Sequence, residues 1–523
     1  MRVTLTSTIR SLRDRLRRLP EPEAEAELPE SVPDLLVRLG AAGELDDLAI
    51  VSRHLFVESP FARLAANAAS RLFARAKPLD YVALDQEARR WLSYYHLTSR
   101  TQTIALLERL GSVSALGVGS FHPSGYIRES AVTNLEGHWS GDELPFLLVR
   151  ANDWVAEVRF VAVRALMARA NPSYAAHFLR FLPLVRRLAQ TRRAENSEIV
   201  EAVETLLRSP EADGVLRAGC LSAEPTVRRA SFQLRLEDKD RQVEAAGDAL
   251  RERDPIIRLW AVRALATQPA QPELRGLLER MIADSSSAVR AVAIDLFCVN
   301  HPDEAKPLLW SSLLDRSASI RAASRWKLTR HEPVDFGAVY REALATAEGF
   351  RLVAAIYGLG EIGCREAAED VASFLKHSRL NVRVAAIRAL SGITQNEFLG
   401  RFEAALSDDL PKVSTAARRA LESRSGLLSE ELLWRLFEND GRRHVRLNAL
   451  LLMGRLGKWD RIFYFLRAAS DSDPDLAAIA EQEVRGWQST FNRSFTAPTA
   501  EQKQRILAAG FQDVADYWAG FSS

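Results

Sequence analysis

Three glycines, Gly358, Gly360 and Gly363, spell GxGxxG, the spacing that lets a backbone approach a dinucleotide's pyrophosphate. That chemistry also needs a strand before the motif and a βαβ unit around it. Here the glycines fall at the end of a helical repeat segment, so dinucleotide binding is set aside. Asp471, Asp473 and Asp475 alternate as at the start of a calcium loop. Pro474 intrudes, Leu476 stands where the loop needs glycine, and Gln482 replaces the closing glutamate, so they read as a turn. Ser373 and Lys376 match SxxK without companion motifs, and the nine histidines include no HxxxH pair and a single His331-Glu332. No catalytic set or metal-ligand set emerges. The chain is expected to bind rather than catalyse, with no cofactor and no metal.

The cations carry more. Arg164, Arg263, Arg388 and Arg419 recur at one position of a repeated helix, with Arg229 and Arg418 nearby. A row of guanidiniums suits carboxylates or phosphates, whereas arginine on a solvated helix needs no ligand. Asp295, Trp326 and Leu451 interrupt the row. A second candidate is the aromatic set Trp91, Tyr94, Tyr95 and His96 beside Arg89 and Arg90. Such residues stack bases, anchor a protein interface, or simply pack an N-terminal repeat.

These arginines belong to a recurring block whose anchor positions fall at 227, 257, 289, 320, 350, 382, 413, 445 and 476. The anchor is usually Val or Ile followed by Arg. Apolar residues recur at +4 and +8 from it, a helical stripe, and the candidate arginines sit at +6 on the opposite side. Asp254-Pro255, Asp284, Asp315, Asp440 and Asp473-Pro474 precede anchors, where a helix cap is expected. A second apolar segment lies upstream in each block: Leu274 to Met281, Ala305 to Leu314, Glu366 to Leu375. Each block is therefore predicted to be an antiparallel helix pair. Neither helix buries its stripe alone, so pairs stack into an array.

The segments PIIRLWAVRALA (255–266), AIYGLGEIGCREA (355–367) and NVRVAAIRALSGI (381–393) resemble HEAT repeats, and more narrowly the short bacterial repeats of phycobilisome lyases. The resemblance runs from about residue 120 to 485. It weakens near Arg63 and Arg100, and again around 185–210, where Ile199, Val203 and Leu207 keep only the apolar spacing. It implies an all-α fold, an α-solenoid of stacked helix pairs. It also implies a protein-binding scaffold whose second helices line a concave face, where the +6 arginines would point. Arg159, Arg258, Arg290, Arg321, Arg383 and Arg446 would form a ladder with turn aspartates such as Asp254, Asp284, Asp315 and Asp440. Val413 is followed by Ser414, so one rung is expected to be missing there. The iron-binding HEAT-like hydroxylases use several His-Glu motifs, which this chain lacks. A nucleic-acid-binding protein like the HEAT-like alkylpurine DNA glycosylases is the second reading, and a chromophore lyase component the third.

Seventy basic against 68 acidic residues leave a net charge of +2, which gives no global pull towards nucleic acid or anionic membranes. Cys220, Cys298 and Cys364 form no CxxC pair and read as reduced structural thiols of a cytoplasmic protein. No apolar run approaches the ~18 residues of a transmembrane segment, and the start lacks a secretory apolar core. Residues 1–20 carry six arginines against Asp14, with Leu5, Ile9, Leu12, Leu16 and Leu19 on one stripe. This basic amphipathic helix either caps the first repeat or contacts a membrane surface or a partner. Residues 21–30, with five glutamates, form an acidic linker. Degenerate helical repeats are expected over 31–119, the HEAT-like array over 120–485, and a helical cap over 486–523. That cap opens with Thr499 and Gln502 as a capping box, then Ile506, Leu507, Phe511, Val514, Tyr517 and Trp518.

Overall fold

The computed structural model describes residues 31–92, 99–191, 194–268, 272–330, 332–491, 496–514 and 516–519. The expected segments 1–20 and 21–30, with Tyr94, Tyr95, His96 and His331, lie outside the described residues. Among the described residues every regular element is a helix, and the architecture is the all-α solenoid of stacked helix pairs. Two compact units divide the chain, residues 1–281 and 282–523, each with its own run of buried apolar side chains. The division falls inside the stretch expected as one array.

The second helices of the pairs carry the anchors. In the first unit they are α1 (Gly125–Glu136), α2 (Ala156–Arg169), α3 (Ala194–Arg208), α4 (Pro225–Glu237) and α5 (Pro255–Leu265). In the second unit they are α6 (Ser287–Asn300), α7 (Ala318–Thr329), α8 (Gly349–Ile362), α9 (Leu380–Ile393), α10 (Pro411–Glu422), α11 (Arg443–Met453) and α12 (Pro474–Ser489).

Helix α9 shows how the pattern becomes packing. Val382, Ala386 and Leu390 stack on one face and are buried. Burying a side chain such as Leu390 stabilises by roughly 1.5–3 kcal/mol. Ala385 and Ala389 beside them are small, so α8 comes close. A Cβ on Gly360 would lie 2.8 Å from the Ala389 Cα, and one on Gly358 would lie 2.5 Å from the Tyr340 ring. Gly363 ends α8 in the left-handed region at φ 65°. The GxGxxG motif is thus two close-packing glycines and a helix stop.

The turn aspartates divide into two kinds. Asp254 and Asp473 cap α5 and α12 directly, each followed by proline. Asp284, Asp315 and Asp440, expected as caps, lie two residues earlier, and the caps are Ser286, Ser317 and Arg442. Their carboxylates accept the N–H of those cap residues at 2.7, 2.7 and 2.9 Å. An Asx turn before the helix makes the same kind of side-chain-to-backbone contact as a cap, two residues earlier in the chain.

Departures from the expected helices are local. The segment expected as one helix from Glu366 to Leu375 is broken into 3-10 turns at Arg365–Ala367 and Ser373–Lys376 around a short helix, Ala368–Ala372. There Ser373 Oγ donates to the Asp370 carbonyl at 2.6 Å, which occupies the SxxK serine. The capping box of Thr499 and Gln502 opens Ala500–Ala508, but that helix stops before Phe511, and Leu507 faces outward while Ile506 is buried. No helix of the described residues is long and apolar enough to cross a membrane.

Candidate functional site

The anchor arginines reach in two directions. Backward, Nη1 donates to the carbonyl six residues earlier: Arg128 to His122 (2.9 Å), Arg159 to Asp153 (2.9 Å), Arg228 to Ser222 (2.6 Å), Arg258 to Glu252 (2.7 Å), Arg290 to Asp284 (2.8 Å) and Arg321 to Asp315 (2.6 Å). Those carbonyls lie in the turn after the first helix, where backbone acceptors have lost their helical partners. Forward, the guanidinium meets a carboxylate 25 residues on: Arg128 with Asp153 (2.9 Å), Arg290 with Asp315 (2.7 Å), Arg383 with Asp408 (3.0 Å) and Arg446 with Asp471. Thr346 stands at that distance from Arg321, which binds Glu361 of α8 instead. Leu184 stands there for Arg159, and among the described residues its partners are the carbonyls of Asp153 and Trp154.

Two placements differ from the expected ladder. Asp254 is bound by Arg229 at 2.6 Å, so Arg229 is a rung rather than a groove cation, while Arg228 pairs with Glu252 at 3.3 Å. Asp440 is bound by Arg442 at 2.7 Å. On α10 the rung position is Ser414, buried, which donates to the Leu406 carbonyl (2.6 Å) and accepts from Asn448 (2.8 Å). The Arg128–Asp153 rung went unnoticed in the sequence, although Ile127-Arg128 and the 25-residue spacing both signal it. It is the most buried rung described above: Arg128 and Asp153 have fully covered side chains, and Arg150 joins Asp153 at 2.7 Å and also meets Asp85. Burial alone would raise the Asp153 carboxyl, but the Arg128 hydrogen bonds and the Arg150 charge hold it below the usual range.

A different face carries the candidate site. Positions −1, +2 and +6 from the anchor share one side of each second helix: Asn381, Val384 and Arg388 on α9, and Lys412, Thr415 and Arg419 on α10. Together with Phe350, Val353, Ala354 and Tyr357 of α8 they line a cleft of about 810 Å³. Arg316, Arg321 and Arg379 also reach into it, so six cations line the cleft and no carboxylate does. Arg321 is committed to Glu361. Arg316 stacks over Phe350 at 4.4 Å, and Arg388 donates to the Tyr357 hydroxyl at 3.4 Å. Arg316, Arg379, Arg388, Lys412 and Arg419 are exposed, and none has a carboxylate within ion-pair distance among the described residues. Guanidiniums with open forks of this kind bind carboxylates or phosphates bidentately. Of the residues that the sequence left unremarked here, Arg379 and Lys412 lie at −3 and −1, positions whose exposure only the packing reveals.

The other expected cations are engaged or lie elsewhere. Arg164 of α2 is gripped by Glu136 of α1 at 2.8 and 2.6 Å. Arg418 turns into the stack, to Asn448 at 3.0 Å and to Glu422. Arg263 is exposed on α5, in the other unit. Trp91 is half-buried against the first unit's core, and Arg89 lies over Trp154 at 4.1 Å while bonding Asp85. The aspartates of the calcium-like stretch are held by arginine: Asp471 by Arg446, and Asp473 and Asp475 by Arg443 at 2.8 and 2.7 Å. Burial pushes the Cys220 thiol up to about 11, away from a reactive thiolate.

In sequence, residues 350–422 match the family model for HEAT repeats, a stretch that spans α8 to α10 and most of the cleft. No curated protein matches the chain. Among solved structures the chain is similar to Kap121p, at 12% identity over 90% of this chain and 60% of that one, with a TM-score of 0.34. It thus spans about 60% of the length of Kap121p. It is also similar to the Kap95:Nup1 complex (14% identity, 98% and 80% covered, TM-score 0.36) and to importin beta (13%, 98% and 80%, 0.34).

Proposed function

We propose that this chain is a protein-interaction scaffold that holds an acidic partner on the second-helix face of its second unit. The observation that carries the reading is the cleft at α8–α10: six lining cations, no lining carboxylate and an apolar floor. A binding role accords with the chemistry available, because the catalytic look-alikes are consumed by packing, caps and ion pairs. The finer likeness to the short repeats of phycobilisome lyases stands on three sequence segments, and repeat units are shared across unrelated functions. The cytoplasmic assignment stands on cysteine usage alone.

Affinity purification with mass spectrometry tests the reading, using the full chain, an Arg388→Glu/Arg419→Glu variant and an Arg263→Glu control. A stoichiometric protein partner is expected with the wild type and the control, and lost with the double reversal. A partner that survives the double reversal overturns the cleft as its site. Recovery of nucleic acid whose binding falls steeply between about 50 and 500 mM salt would favour the nucleic-acid reading instead.

A further inference from the structure

We infer that the occupant of the cleft is an amphipathic helix of the partner, acidic along both edges of an apolar stripe. The inference rests on the scaffold reading and names what that scaffold holds. Four of the six cations, those of α9 and α10, form two rows. Arg379 and Lys412 lie at the starts of α9 and α10, while Arg388 and Arg419 lie two turns further on. Between the rows the lining is uncharged: Val384 and Thr415 at +2, with Val353 and Ala416 beside them. Lys412 and Arg419 are seven residues apart and Arg379 and Arg388 nine, so the rows stand roughly 10–14 Å apart at 1.5 Å per residue. A helix with its side chains is about 10–12 Å across, which spans that gap.

An extended acidic strand or a phosphate backbone meets one row at a time and leaves the apolar floor in contact with water. A helix with carboxylates on either flank of a Leu/Ala stripe meets both rows and covers the floor. Like-charge repulsion from the rows excludes a basic helix.

The test is fluorescence anisotropy of the full chain with designed peptides. One peptide places glutamates on both sides of a Leu/Ala stripe, and a second has the same composition scrambled to destroy the stripe. A single-stranded oligonucleotide serves as competitor. The striped peptide is expected to bind at least about ten-fold tighter than the scrambled one, and to lose at least about ten-fold with Arg388→Glu/Arg419→Glu. Val384→Ser should weaken the striped peptide and leave the scrambled one unchanged, and Arg263→Glu should change neither. Circular-dichroism melts of the variants matching the wild type would show that the losses are local. Equal affinity for the two peptides, or displacement by an equal concentration of oligonucleotide, overturns the helical occupant. Either result leaves the scaffold reading standing if a protein partner is still lost with the double reversal. Equal weakening by Arg263→Glu removes the cleft as the site, and both readings then fall.

Discussion

In the first unit the +6 arginine of α2, Arg164, is held on two nitrogens by Glu136. In the second unit the +6 arginines of α9 and α10 stand free of carboxylates. Helix position does not separate them. The difference lies in what the preceding repeat places alongside: Glu136 for Arg164, Tyr357 for Arg388, and Arg388 itself for Arg419. The −1 position follows suit, with Glu157 on α2 against Lys412 on α10. The first unit's face, a shallow hollow lined by Glu129, Glu157, Phe160 and Arg164, is mixed in charge, whereas the second unit's cleft is uniformly positive. A +6 arginine is therefore paired or left open according to its neighbour one repeat back.

The ladder arginines supply the other half of the contrast, because Arg128, Arg290, Arg383 and Arg446 each meet an aspartate in the turn 25 residues on. The largest expected effect follows from the most buried rung. Asp153→Ala would leave Arg128 and Arg150 buried without their shared carboxylate, at a cost of about 3–5 kcal/mol, the range for breaking a buried ion pair. Denaturant unfolding of the full chain measures it. The Asp153 carboxyl is held low in the folded state, so its contribution is present above the unfolded carboxylate pKa of about 4 and disappears as pH falls through the folded value. Wild type and variant should therefore converge in acid. A loss under about 1 kcal/mol at neutral pH would place this rung with ordinary surface pairs.

Next in size is Arg383→Ala. Its partner Asp408 lies at 3.0 Å, and both side chains keep 15–19% exposure, so the expected cost is about 1–3 kcal/mol. Stacked repeats contact mainly their neighbours, so the damage should stay close to the lost rung. Hydrogen exchange should show faster opening around α9 and α10, with the first unit unchanged. No change at α9 would mean that this arginine is a surface cation like Arg388, eroding the distinction drawn above.

The fold was legible because helical spacing and turn aspartates repeat along the chain, and each copy reinforces the others. Legibility failed where a contact depends on register between repeats. Arg228 and Arg229 are adjacent, and only the packed stack decides that the second of them, not the one after the anchor, reaches Asp254. Arg418 and Arg419 are adjacent too, yet one turns inward to Asn448 and the other outward to the cleft. A glutamate one repeat back neutralises a +6 arginine, as Glu136 does Arg164, and the sequence displays both residues without saying that they touch. The +6 row was therefore readable as a candidate, but its division into bound and free members was not.

Glu136→Gln acts on that division with the smallest energetic effect. The pair with Arg164 has side-chain exposures of 30% and 52%, so screening holds its contribution to about 0.2–1 kcal/mol. The hydrogen bond from Arg164 lowers the Glu136 carboxyl. Its stabilisation is therefore present above the unfolded carboxylate pKa of about 4.3 and lost as pH falls through the folded value, so any difference between variant and wild type should vanish in acid. At neutral pH the amide releases Arg164 from its carboxylate while Glu157 still stands at the −1 position. Binding of the striped acidic peptide to the first unit should then rise only slightly, and rise further when Glu157→Gln is added. If the two substitutions leave that affinity flat in a chain already carrying Arg388→Glu/Arg419→Glu, a freed arginine is not sufficient. The further cations of the second unit's cleft, where the first unit's hollow has Arg164 alone beside Phe160 and Val161, would then be the deciding element.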